Sequence, residues 1–213
     1  MNEAELIRLV SKRRVFAQAY AESAESALRA AEAAIIGGVK LIEVSLATPG
    51  SYRVISDLRH GYGDRATVGA CSVMTFDQID RAVKSGAQYI SMPHTIPTLI
   101  ETCRRHRVPA IIGALTPTEI AAAQSLGVAL VTVYPVESLG GPDYMRSLAY
   151  RMPGVRLAVA GGVGPENIGD YFNAGAFAIT VGGRLFARGD LQTGNYTAIA
   201  ERARGIMRLA GVL

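Results

Sequence analysis

Cysteine is scarce in this chain. Its 2 cysteines, Cys71 and Cys103, are too few for a disulfide framework, and neither belongs to a C-x-x-C pair or lies near a histidine at metal-ligand spacing. That excludes a disulfide-stapled scaffold, and a reducing, cytoplasmic setting is expected. No stretch approaches the ~20 uncharged apolar residues that cross a bilayer, and the opening MNEAELIRLVSKRR holds no long apolar run. A soluble protein with no membrane partner is expected. A Ser-His-Asp set, an H-E-x-x-H pair and a Walker loop are also missing. With no two ligand-type residues at metal spacing, neither a metal nor a cofactor is assigned. Basic residues are in slight excess, 22 Lys and Arg against 18 Asp and Glu, but only KRR at 12–14 and RRHR at 104–107 are clustered. Clusters this short read as solvated helix ends, so no nucleic-acid partner is expected. Lysine is confined to Lys12, Lys40 and Lys84.

What is present is a strong alternation. At 213 residues with 49% hydrophobic content, the chain can fill one large core but is too short for two ordinary α/β domains and a linker, so a single domain over 1–213 is expected. Eight short β-branched runs read as strands: RVFAQA near 14, VKLIEVS near 39, ATVGA at 66, AQYIS at 87, PAIIG at 109, VALVTVY at 128, VRLAVA at 155 and AFAITVG at 176. Each is followed by a stretch of helical spacing, such as ESALRAAEAAIIGG and TFDQIDRAVKSG. Thr75 and Thr116 precede Gln78 and Glu119 as capping boxes, and Gly86, Gly127 and Gly175 sit where helices should close. This alternation predicts an α/β fold of the (β/α)8 TIM-barrel class rather than a doubly wound sheet. An N-terminal helix at 2–12 is expected to lie across the amino-terminal end of the barrel.

Chemistry in such a barrel belongs at the carboxyl ends of the strands. Glu43, in KLIEVSL, puts a carboxylate inside a buried strand on the same face as Leu41 and Ser45. A buried charge left unpaired is costly, so Glu43 is either a structural carboxylate held by backbone groups or an arginine, or an acid–base group. The pairs Gly161-Gly162 and Gly182-Gly183 end the last two strands, where backbone N–H groups can converge on a phosphate, and Arg184 adds a cationic fork. Pro93 and His94, in ISMPHTIP after the fourth strand, are candidates to line the pocket, with a packing role as the alternative for His94. His60 and His106 read as surface residues.

The ordered segments GGVKLIEVSLAT, VGACSVM, YISMPH, GALTPTEI, VYPVESLGG, AGGVGPENI and AFAITVGGRLF span roughly residues 14 to 186. Together they resemble the class I aldolases that cleave 2-keto-3-deoxy-6-phosphogluconate (KDPG) and 4-hydroxy-2-oxoglutarate (KHG). The resemblance implies that Glu43 is the proton shuttle and that Ser72, in GACSV, takes the place of a threonine that helps hold the keto-acid carboxylate. It implies that the Gly161-Gly162 and Gly182-Gly183 turns hold the phosphate end. A homotrimer is implied too, with a small 2-keto acid or a phosphorylated metabolite as ligand. Against the same pattern, Thr132 stands where the Schiff-base lysine is expected, Ala47 and Tyr20 replace two arginines, Ala160 replaces a threonine, and Arg184 a serine of the phosphate loop. A threonine adduct would be a hemiketal, which cannot act as the electron sink that an iminium provides. At the catalytic position beside Glu43, Thr132 is either a participant or a packing residue whose hydroxyl bonds a neighbour such as Glu43. Two readings remain: a KDPG/KHG-aldolase-like lyase acting on a small 2-keto acid or its phosphate, with residual activity or by non-covalent enolisation or decarboxylation with Glu43 as base, or a non-catalytic homologue that binds a phosphorylated metabolite.

Overall fold

The computed structural model describes residues 1–212. The β-branched runs form eight parallel strands: β1 (Val15–Ala19), β2 (Leu41–Ser45), β3 (Thr67–Cys71), β4 (Ile90–Met92), β5 (Ala110–Ala114), β6 (Leu130–Val133), β7 (Leu157–Val159) and β8 (Ala178–Val181). They pair in chain order, and β8 bonds back to β1 to close the barrel. The helices are α1 (Glu3–Arg13), α2 (Ala24–Ile36), α3 (Ser51–Tyr62), α4 (Phe76–Lys84), α5 (Pro97–Arg105), α6 (Pro117–Ser125), α7 (Gly141–Arg151), α8 (Ile168–Asn173), α9 (Arg188–Thr193) and α10 (Tyr196–Leu209). The alternation therefore builds the expected (β/α)8 barrel with its N-terminal helix. Among the described residues, no helix is long and apolar enough to cross a membrane.

Local chemistry explains most boundaries. Thr75 with Gln78 and Thr116 with Glu119 form reciprocal capping boxes, and Asn2 with Glu5 starts α1 in the same way. Gly86, Gly127 and Gly175 follow their helices at positive φ. The fourth strand departs from its sequence pattern, beginning at Ile90 rather than 87. The residues before it are spent on leaving α4: Gly86 takes φ 94, and the Ala87 N–H bonds the Ala82 carbonyl at 3.0 Å.

Strand alternation sorts the side chains into two cores. Outward residues such as Ile42, Val44, Val131 and Val133 join the large layer beneath the helices. Inward residues at the amino-terminal end, among them Phe16, Leu41, Tyr89, Ile111 and Leu130, form a separate cluster with Leu6 and Val10 of α1. Leu6 and Val10 are one helical turn apart on the same face, which is how α1 covers this end of the barrel. Tyr89 fills the middle of the plug. A side chain at Gly69 would run into its ring, its hydroxyl donates to the Ile42 carbonyl at 2.9 Å, and Phe16 meets it edge-on at 5.8 Å. Burying each of these large side chains is worth about 1.5–3 kcal/mol.

Candidate active site

One step of two residues further along the strands, the inward positions change character. Gln18 of β1, Glu43 of β2, Ser91 of β4, Gly113 of β5, Thr132 of β6 and Thr180 of β8 line a cavity of about 350 Å³. Ser45, Ser72, Pro93 and Ala160 complete its wall, and Tyr20 and Tyr134 stand at its mouth. A larger cleft of about 820 Å³ adjoins it, shares Gln18 and Tyr20, and is lined by Gly182, Gly183, Arg188 and residues of the α2 and α9 region. The smaller cavity is the one that holds the buried carboxyl, so size does not decide where chemistry can occur.

Glu43 is only 3% exposed. Burial pushes its carboxyl up to about 7, and the Ser91 hydroxyl, a hydrogen-bond donor beside it, pulls the other way. The same enclosure drives the neighbouring Cys71 thiol well up, with the Glu43 charge adding to the effect, while hydrogen bonds from its polar neighbours, Gln18 first among them, oppose it. Cys71 accepts from the Gln18 amide at 3.2 Å. Ser72 adopts φ 60, a left-handed conformation uncommon for serine, and its hydroxyl accepts from Ser45 at 3.3 Å. A strained residue directly after a strand, with its hydroxyl at the cavity wall, is the kind of backbone feature that clusters at functional sites. Thr132 lies on β6, opposite β2 in the eight-stranded ring. It is partly buried and lines the same cavity as Glu43.

No lysine reaches this cavity. Lys12 is exposed on α1, Lys40 precedes β2 at the amino-terminal end and Lys84 is exposed on α4. The wall contains no arginine or histidine either.

The glycine turns have close neighbours of their own within the chain. Gly162, at φ 89, lies against the Glu137 side chain, and a methyl there would land on that carboxylate. Arg184 lies 3.1 Å from Glu166 and 3.8 Å from Glu137. The cationic fork is thus held by two carboxylates of the chain itself. Gly161 backs onto Tyr134 and Pro135, and neither Gly161, Gly162 nor Arg184 lines either cavity. His94 also lies outside both, with its two ring nitrogens enclosed and unpartnered. Of the residues singled out in sequence, Glu43, Ser72, Pro93 and Thr132 share the small cavity, while Gly182 and Gly183 face the large cleft.

A family model described as KDPG and KHG aldolase matches residues 6–202. The chain belongs to this family. The 2-dehydro-3-deoxy-phosphogluconate aldolase of Treponema pallidum (strain Nichols) is 29% identical over 192 residues, covering 90% of this chain and 91% of that protein. The KHG/KDPG aldolase of Escherichia coli (strain K12) is 29% identical over 181 residues, 84% of each chain. Among solved structures, the KDPG aldolase of Legionella pneumophila, with pyruvate captured as a covalent carbinolamine, has a TM-score of 0.86 at 22% identity. It covers 94% of this chain and 97% of its own. At that identity the likeness speaks for the fold.

Within the family fold, sequence reasoning overlooked Gln18, Ser91 and Thr180. A period of two would have found them, since each is the polar residue at an inward position two steps beyond an inward apolar one.

Proposed function

We propose that this chain is a lysine-independent member of the KDPG/KHG aldolase family, acting on a small carbonyl compound by proton transfer through Glu43 and without a Schiff base. The observation that carries this reading is one cavity in which a carboxyl poised near 7 meets a wall of hydroxyls with no amine. A group whose pKa lies close to the working pH serves both to remove a proton and to return it. In the proposed step the Glu43 carboxylate takes a proton from the carbon next to a carbonyl. The C–H pair becomes the carbon–carbon double bond, and the carbonyl π pair moves to oxygen, where hydroxyls such as that of Thr132 donate. Glu43 then returns its proton. If the proton taken is that of a β-hydroxyl, the O–H pair becomes the C=O of a departing aldehyde, the carbon–carbon pair becomes the enolate double bond, the carbonyl π pair moves to its oxygen, and Glu43 gives its proton to the enolate carbon. Hydroxyls are weaker electron sinks than an iminium, and a lost covalent nucleophile can cost on the order of 10⁶ in rate, so turnover is expected to be slow.

Proton exchange in D2O, followed by NMR on a panel of small aldehydes, ketones and 2-keto acids, tests the proposal. Exchange above the uncatalysed rate should fall by about 10²-fold or more in Glu43→Gln. Borohydride with pyruvate should leave the protein's mass unchanged, and an adduct on Lys40 or Lys84 would overturn the placement of Thr132 in the lysine's stead. The second reading, a non-catalytic binding protein, is favoured by the lack of any cation or amine in the wall. It takes over if exchange, cleavage and decarboxylation are all absent while a ligand still binds. The homotrimer implied by the family resemblance is checked by sedimentation at micromolar concentration, where a monomer would exclude it.

A further inference from the structure

We infer that the cavity is built for an uncharged, hydroxyl-bearing carbonyl compound, of the small ketose or aldose kind, and not for a keto acid or a phosphate ester. This rests on the reading above only in taking the Glu43 cavity as the site.

Neither place where an anionic ligand could anchor offers it a side-chain cation without a carboxylate partner. At the inner end the wall has no lysine, arginine or histidine, and its acidic member is a carboxyl. A ligand carboxylate would enter a desolvated space with no counter-charge and a like group across it. At the outer end Arg184 is bridged by Glu137 and Glu166. Two carboxylates around one half-exposed guanidinium leave that rim formally negative, which disfavours an arriving phosphate. In the adjoining cleft, Arg188 is likewise matched by Glu22 at 3.5 Å.

What the cavity does offer is suited to hydroxyl groups. Gln18, Ser45, Ser72, Ser91, Thr132 and Thr180 present amide and hydroxyl groups from six directions. A serine or threonine hydroxyl donates once and accepts twice, which matches a ligand hydroxyl that also does both, whereas a carboxylate can only accept. At the mouth, Tyr20 and Tyr134 keep 56% and 51% of their surface open. Two large aromatic residues left uncovered at the rim of one cavity give flat apolar faces for the C–H side of a polyol, with phenol groups for its hydroxyls. About 350 Å³ lies at the small end of ligand pockets, near ~300 Å³.

Calorimetric titration of the full chain with dihydroxyacetone, erythrulose, pyruvate and inorganic phosphate tests the inference. The two neutral ketoses should bind, with pyruvate and phosphate weaker by about tenfold or more, a difference of about 1.4 kcal/mol. Tyr20→Ala and Tyr134→Ala, both at exposed positions, should together weaken ketose binding about threefold to tenfold. Ala47→Arg, at the exposed rim after β2, should raise pyruvate affinity and leave that for the ketoses in place. Tighter binding of pyruvate or phosphate than of either ketose would overturn the inference, as would no ketose binding up to about 10 mM. The acid–base proposal fails separately: ketoses that bind but never exchange a proton leave the ligand class standing and remove the chemistry. Glu43-dependent exchange on pyruvate, with ketoses unbound, does the reverse.

Discussion

At the amino-terminal end of the barrel, the inward positions of four strands carry Phe16, Leu41, Ile111 and Leu130, and Tyr89 takes the matching place just before β4. Two residues later, on the same strands and the same face, they carry Gln18, Glu43, Ser91, Gly113 and Thr132. The backbone is equally regular in both layers, so the difference lies wholly in side-chain chemistry. The lower layer is dry, shielded by α1, and its tyrosine hydroxyl is satisfied by a backbone carbonyl. The upper layer holds an ionisable carboxyl without a cation, among hydroxyls that line a cavity. One period of a strand separates the part of the barrel that keeps it folded from the part free to vary in what it binds.

The largest effect expected of a change to this pattern concerns the upper layer. Thr132→Lys restores an amine beside Glu43, and burial would lower its pKa as a Schiff-base amine requires. The substrate would still meet Ala47 and Ala160 where the family offers an arginine and a threonine. Misplacement by about 1 Å can cost on the order of 10² in rate, and a lost charged hydrogen bond adds about 1.5–3 kcal/mol. The single variant should therefore form an imine with pyruvate that borohydride traps, yet cleave KDPG roughly 10³-fold below the median enzyme turnover of ~10 s⁻¹. Adding Ala47→Arg should gain more than the two changes give separately. Efficient cleavage by Thr132→Lys alone would mean that the upper layer lacks only its nucleophile.

The lower layer comes next. Phe16 is 1% exposed and packs edge-on against Tyr89. Phe16→Ala should cost about 3–5 kcal/mol in urea unfolding, with the Glu43 cavity unchanged in ligand affinity. A loss under about 1 kcal/mol would show that α1 and its neighbours do not depend on the plug.

The barrel and most of the lower layer could be read from the sequence, because β-branched runs, capping boxes and helix-closing glycines are local signals and here they agree with one another. Glu43 was legible for the same reason, as a charge in an apolar strand. Gly161-Gly162, Gly182-Gly183 and Arg184 look in sequence like one phosphate cradle; Gly182 and Gly183 line the larger cleft, while Gly161, Gly162 and Arg184 line neither of the two cavities described. The partners that occupy Gly162 and Arg184 come from Glu137 and Glu166, and pairing between loops after different strands leaves no local trace. Ser91 and Thr180 look like ordinary strand residues until the closed ring turns them toward Glu43.

A third effect, of similar size, should invert the usual cost of removing a buried polar group. The Glu43 carboxyl titrates near 4.5 when unfolded and at about 7 when folded. Between those values the native state holds a proton that the unfolded chain has released, so stability falls as pH rises through this window. The protonated form's contribution is complete below 4.5 and lost above about 7, a swing of about 3 kcal/mol. Glu43→Gln has no proton to lose. It should match the parent protein near pH 4.5 and exceed its stability by up to about 3 kcal/mol at about pH 8, as read from paired urea titrations. Equal stability at both pH values would show that the carboxyl is solvated and that the upper layer is less enclosed than its burial indicates.

The smallest effect is expected at the rim, and it is informative for being small. Arg184 is about half exposed, as are Glu137 and Glu166, and ion pairs this open to water are worth roughly 0–1 kcal/mol. Arg184→Ala should shift stability by no more than about 0.5 kcal/mol, the lost attraction being partly offset by hydration of two freed carboxylates. Its effect on anions separates the two accounts of this turn. If Arg184 is held by its own acidic neighbours, inorganic phosphate should bind the variant as weakly as it binds the parent, because the guanidinium was never free to meet it. If Arg184 instead swings from Glu137 to a phosphate, the variant should lose about tenfold or more in phosphate affinity, and raising the salt concentration should weaken phosphate binding to the parent but hardly to the variant. That second result would make the carboxyl end of the barrel an anion site after all, and the contrast between an apolar lower layer and a cation-free upper one would no longer describe what this end is for.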